Sequence, residues 1–163
     1  MSLSDATAEV DSGAELKLAN RSFSIVLWAE VAPKAGFYGA NILRHGSTAA
    51  RDQMLHVGIR STGKAFFAFY SNDLDTQAAY SDGQLHHYAF TFDHQTRTRI
   101  IYVDGEEVAR DVSPSDYVGS GKLILAGMDN PPFDGTVGGV QVVGGTMTAA
   151  HVRKAMSRSM PSR

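Results

Sequence analysis

Apolar and polar residues alternate with a period of two through most of this chain, and short glycine- or aspartate-bearing stretches interrupt the alternation. A period of two puts successive side chains on opposite faces of a strand. Order begins at residues 14–19, where Leu16 and Leu18 share a face. Residues 22–31 carry Phe23, Ile25 and Leu27 on one side and Val26 and Trp28 on the other. A run apolar on both sides predicts a central strand covered on both faces, and Trp28 in its middle predicts core or the inner sheet face. Further strands are predicted at 41–45, 54–60, 65–70, 86–92, 98–103, 106–110, 122–127 and 137–143. Thr62-Gly63, Asp82-Gly83 and Asp104-Gly105 mark turns. Asp-Gly between alternating strands is a strong hairpin signal, because both central residues of a type I′ turn need positive φ. Segments 33–39, 71–81, 112–121 and 128–135 read as loops. Only 148–156 has a helical pattern, with Thr148 as N-cap and Val152, Ala155 and Met156 on one side. Roughly ten strands, no alternation of strand and helix, and one terminal helix predict an all-β antiparallel sandwich.

Composition narrows this picture. The chain has 163 residues, which suits a single domain with its core between about residues 13 and 156. At that length no metal or disulfide is needed to hold a core. The net charge is −2 and no long basic run occurs, which argues against nucleic acid as a partner. Arg153, Lys154, Arg158 and Arg163 read as a solvated C-terminal end. Cysteine is absent, so disulfides, thiolate zinc sites and cysteine nucleophiles are excluded. No apolar stretch approaches a membrane span. The first ten residues lack the pattern of a signal peptide, so the chain reads as a domain of a longer surface or secreted protein.

Several segments carry a family likeness. Residues 82–93, Asp-Gly-Gln-Leu-His-His-Tyr-Ala-Phe-Thr-Phe-Asp, resemble the pattern DG.WHHVAFTYD, and Ile101-Tyr102-Val103-Asp104-Gly105-Glu106 resembles LYVDGK. Residues 22–29 are similar to FTISLWVK, residues 133–142 to F.G.IDDVRIY, and residues 146–152 to RALSAEEI. Together, and in this order, they resemble a laminin-G-like domain of the concanavalin A-like lectin/glucanase superfamily. The resemblance implies a two-sheet antiparallel jelly-roll β-sandwich with a short C-terminal helix. It also implies a recognition module for glycans, proteins or lipids, extracellular or on a cell or virion surface, often with one calcium ion at the rim. Two departures stand out. The paired aspartates of the family are Gly138-Gly139 here, which removes carboxylates that help hold calcium in relatives, and the usual tryptophan is Leu85.

The candidate chemistry is sparse. Neighbouring His86 and His87 point to opposite faces of a strand and cannot share a metal. A retaining glycosidase needs two carboxylates about 5–5.5 Å apart. The Glu-x-Asp-x-(x-)Glu run of the glucanase relatives is missing, and Glu106-Glu107 diverge. A hydrolase or lyase is therefore the least favoured reading. Calcium takes oxygen ligands from loops, and Asn72, Asp73 and Asp75 form one candidate cluster, Asp129 and Asn130 a second. A glycan needs an aromatic platform with polar groups beside it. Phe37, Tyr38, Tyr80, Tyr117 and Phe133 are the aromatics in or beside predicted loops. The expected function is a non-catalytic, lectin-like carbohydrate-binding module. The alternative is a protein–protein interaction module that pairs through a sheet edge, a homodimer included.

Overall fold

A computed structural model describes residues 2–3, 8–10, 16–32, 39–125 and 135–159. Its strands are β1 (Ser2–Leu3), β2 (Ala8–Val10), β3 (Phe23–Val31), β4 (Gly39–His45), β5 (Leu55–Arg60), β6 (Lys64–Ala68), β7 (Asp73–Ala79), β8 (Leu85–Asp93), β9 (Thr98–Val103), β10 (Glu106–Val112), β11 (Leu123–Leu125) and β12 (Gly135–Gly144). One helix, α1 (Ala149–Ser159), follows. The strands form two six-stranded sheets, in the orders β1-β12-β3-β8-β9-β10 and β2-β11-β4-β5-β6-β7. All their pairings are antiparallel. The architecture is the antiparallel sandwich that the alternation predicts, in the jelly-roll form that the family resemblance implies.

The inward sets of the two sheets meet in one core. Phe23, Ile25, Leu27, Tyr88, Phe90, Phe92 and Ile101 face Ile42, Leu55, Val57, Ile59, Phe67 and Phe69. Rings contact one another edge-on through its middle: Phe69 lies 5.1 Å from Phe92 and 5.3 Å from Phe67. Such pairs add roughly 0.5–1.5 kcal/mol each to the area they bury.

The outer face of the first sheet is also buried. Val26, Ala89, Ile100 and Tyr102 form a second cluster with Val152 of α1, and Met147, Ala149 and Ala155 pack around it. Thr148 opens the helix as expected: the His151 N–H donates to its Oγ1 at 3.4 Å. Trp28 is buried, but on this outer face, where its ring meets that of its cross-strand partner His87 at 5.2 Å.

Segment 71–81 corrects the sequence reading. Most of it is β7, an edge strand paired with β6, and not a loop. Leu74 and Thr76 are buried while Asp73, Asp75 and Gln77 are exposed. Only one of the inward residues is apolar, so the alternation is hard to see. Thr76 is held by accepting the Ala65 N–H at 3.0 Å and donating to the Ala78 carbonyl at 2.8 Å. The short strands β1 and β2, which pair with β12 and β11, also had no forecast in the alternation.

Candidate functional site

The β6–β7 hairpin closes through a turn in which the Phe69 N–H donates to the Asn72 carbonyl at 2.8 Å. The central residues, Tyr70 and Ser71, both have φ of 58°. This geometry normally selects glycine or asparagine, and an L side chain in the left-handed region costs roughly 1–2 kcal/mol. Such strain persists only where surrounding contacts determine the backbone.

Those contacts are buried and polar. Arg99, 1% exposed, donates to the Asn72 carbonyl at 2.7 Å and makes a two-pronged ion pair with Asp111. The Asn72 amide donates to Asp52 at 2.7 Å and to the Ser113 hydroxyl at 2.9 Å. Ser115 donates to Asp52 at 2.7 Å, and the Ser113 hydroxyl donates to the Ser115 carbonyl at 2.7 Å. The Asp52 N–H donates to the Phe69 carbonyl. The turn is thus held from the segment before β5, from β9 and from the chain that leaves β10.

What this scaffold presents is Tyr70. Among the described residues it is one of the few large apolar side chains left exposed, at 37%. It stands on the outer face of the second sheet with its ring 6.1 Å from that of His56, nearly perpendicular to it. The same face carries Asn41 and Arg44 from β4, His56 and Arg60 from β5, Phe66 from β6, and Asp73 and Asp75 from β7. Arg60 lies 4.0 Å over the Phe66 ring. It donates to Asp73 at 2.7 Å and to Asp75 at 2.9 and 3.0 Å. Gly58 lets β4 approach: a Cβ there would sit 2.0 Å from the Ala40 carbonyl oxygen and 3.0 Å from Phe66. The face combines a ring, hydrogen-bond donors and carboxylates, the mixture that suits a polar ligand with apolar patches.

The residues expected to bind ligand fare differently. Tyr117 is a correction: it is wholly buried, donates to the His45 carbonyl at 2.9 Å and meets His45 Nδ1 at 2.7 Å. Burial raises its phenol pKa, and its ring closes the end of the core against Phe23 and Phe69. Tyr80 is half-buried, its ring against His86 and Tyr88, at the far end of β7. Phe37, Tyr38 and Phe133 lie outside the described residues, as do Asp129 and Asn130.

Asp73 and Asp75 are brought together on one strand face, but Arg60 already bonds both. A calcium ion there would have to displace a guanidinium, and Asn72 is buried, with its side-chain N–H groups bonded to Asp52 and Ser113. The described part of that candidate cluster does not fit a calcium ion. Among the described residues no three acidic or histidine side chains converge as a metal site.

Sequence reasoning missed Tyr70, because it looked for platforms in loops and read 71–81 as one. A hairpin signal would have been a pair such as Asn-Gly or Asp-Gly, and here Tyr-Ser makes the turn.

His86 and His87 diverge as expected, with opposite electrostatics. Burial opposes charge on His86, but hydrogen bonds to Asp104 at 2.7 Å and Asp82 at 3.2 Å outweigh it and leave its pKa raised. Among the described residues His87 has no hydrogen-bond partner for either ring nitrogen, and burial lowers its pKa to about 4.

Comparison with known proteins places the chain. No curated protein matches. Several solved structures share the fold at low identity. A protein of Bacteroides ovatus, described as a candidate carbohydrate-binding protein, is 17% identical with a TM-score of 0.69, over 94% of this chain and 45% of that one. This chain therefore spans under half the length of that relative. The CBM40 module of a Ruminococcus gnavus sialidase, bound to α2,3-sialyllactose, is 14% identical with a TM-score of 0.66, over 92% of this chain and 96% of the module. Domain 4 of an extracellular arabinanase from Geobacillus stearothermophilus, in complex with arabinotriose, is 17% identical with a TM-score of 0.63, over 92% and 80%. A laminin-G family model of the concanavalin A-like lectin/glucanase superfamily matches residues 4–153. The chain belongs to the concanavalin A-like lectin/glucanase superfamily.

Proposed function

We propose that this domain is a non-catalytic carbohydrate-binding module that takes its glycan on the outer face of the second sheet, against Tyr70. The observation that carries this reading is the Tyr70–Ser71 turn, a strained backbone pinned by a buried network that leaves an aromatic ring exposed. Rigid aromatic surface beside polar groups is what sugar rings pack against. Arg44, His56, Asp73 and Arg60 supply the polar contacts around it. Preformed geometry lowers the ordering cost of binding. Three similar structures support the sugar class: the Bacteroides protein by its description, the sialidase module by its sialyllactose and the arabinanase domain by its arabinotriose. The extracellular arabinanase fits a secreted or surface setting.

The test is a titration of sialyllactose, arabinotriose and a broad glycan array, in calcium and again in chelator, with wild type and Tyr70→Ala. Saturable binding that Tyr70→Ala weakens at least tenfold, with unchanged circular dichroism, is expected. Binding that survives Tyr70→Ala would move the site elsewhere, and no glycan binding at all would overturn the reading. The interaction-module alternative draws little from the sheet edges. Edge strand β7 exposes Asp73 and Asp75, and β10 exposes Glu106, Glu107 and Arg110, charges that discourage strand pairing.

A further inference from the structure

On the first sheet, α1 does not lie flush along β12. A groove of about 460 Å³ runs between them, with Gln141, Val143, Thr146 and Met147 on one side and Lys154 and Arg158 on the other. Its floor is apolar or bare. Val143, Met147 and Ala155 contribute side chains, and the space beside Gly144 and Gly145 is open, a Cβ at either meeting nothing within 4 Å. One wall is basic. His151, Lys154 and Arg158 recur at helical spacing and share one side of α1.

The charge on this wall is uncompensated. On the other side of the helix Arg153 donates to the Gly105 carbonyl at 3.1 Å and to Glu106 at 3.3 Å. Lys154 and Arg158 have no carboxylate partner among the described residues, and no acidic residue occurs in β12. Arg158 alone would be explained by the last turn of the helix, where cations are favoured by its dipole. Lys154 is in the middle, beyond the reach of that effect. The cations therefore follow the groove and not the helix end. The whole chain has a net charge of −2, so this patch departs from its surroundings.

We propose that this groove binds the anionic group of an acidic saccharide, a uronic-type carboxylate or a sulfate ester. Lys154 and Arg158 meet the charge through charge-assisted hydrogen bonds, Gln141 and Thr146 meet sugar hydroxyls, and Val143 and Met147 receive the apolar side of the ring. The volume falls within the roughly 300–1,000 Å³ of small-molecule sites. Three basic side chains are too few for a nucleic-acid backbone, which draws on roughly 6–10 phosphate contacts. The saccharide part rests on the carbohydrate-binding reading above; the anion site does not depend on Tyr70.

The experiment is an amide-resolved NMR titration of the full chain with trigalacturonic acid, its methyl ester and inorganic sulfate. It uses wild type, Lys154→Gln/Arg158→Gln, Lys154→Glu/Arg158→Glu and Tyr70→Ala. The acid is expected to shift amides from Gln141 to Arg158. Its affinity should fall at least tenfold in both groove variants and stay unchanged in Tyr70→Ala, and the ester should bind at least tenfold more weakly. Shifts confined to the Tyr70 face, or acid binding indifferent to the groove variants, would overturn the proposal. Sulfate binding as tight as the acid's would overturn its saccharide part. Loss of Tyr70-face binding with groove binding intact would fail the proposed main site and leave this one standing.

Discussion

The two outer faces of the sandwich start from the same kind of strand and end as opposites. On the first sheet, Val26, Ala89, Ile100 and Tyr102 are apolar, and α1 covers them with Val152. On the second sheet no helix among the described residues covers the outer face, and Arg44, His56, Arg60, Tyr70, Asp73 and Asp75 occupy it. The first face adds stability and hides its polar members, down to an unpartnered His87. The second is stitched by charge and shows a strained tyrosine to solvent. One outer face of the sandwich stays open because the other has been made into core.

Breaking the covered face should have the largest effect. Val152→Asp puts a carboxylate into the helix–sheet cluster without a partner, and the loss expected is at least about 3 kcal/mol, read from the urea midpoint. The same substitution type at exposed Gln77 on the second sheet should change stability by under about 0.5 kcal/mol.

Acid should find the same weakness. His87 titrates near 4 when folded and near 6.5 when unfolded. Between those values the unfolded chain binds more protons, so stability falls as pH falls. The whole shift is worth about 3 kcal/mol, of which about 2 kcal/mol is lost between pH 7 and pH 5. His87→Leu should remove that share of the slope in urea melts at the two pH values. His86 works in the opposite sense. Its raised pKa contributes stability below about 6.5 that is lost as pH rises through the folded value. A slope that His87→Leu leaves unchanged would assign the acid sensitivity elsewhere.

On the open face, Asn72→Ala removes the amide that links Asp52 and Ser113. A loss of about 2 kcal/mol is expected from the polar groups left without a partner. Glycan affinity should fall with it, because the turn is no longer held. The smallest and sharpest change is Tyr70→Gly. Glycine relieves the left-handed strain, so stability should stay level or rise by up to about 1 kcal/mol, while glycan binding drops at least tenfold. A variant that loses both would show that Tyr70 serves the fold.

Much of this was legible along the chain. Residues 22–31, apolar on both sides, became β3 at the middle of the first sheet, and Asp104-Gly105 became a turn with φ of 51° and 83°. Thr148 capped the helix it was expected to cap. The candidate site was much less legible. Tyr117 looks like a loop aromatic, but its hydroxyl has a buried partner in His45, 72 positions away. Asp73 and Asp75 look like calcium ligands, and Arg60 claims both across the sheet. Tyr70 gave no signal, since a tyrosine in a left-handed turn is tolerated only through contacts with Arg99, Asp52 and Ser113.

Local rules act over a few residues, so the sequence by itself determined the all-β class, most strands, the turn chemistry, the terminal helix and, through its ordered motifs, the superfamily. Which strands become neighbours, which outer face is covered, and which polar groups find partners depend on pairings between residues tens of positions apart. Those long-range pairings exist only once the two sheets have closed on each other. They alone decided that Tyr117 is core, that His87 is buried and neutral, and that Tyr70 faces solvent.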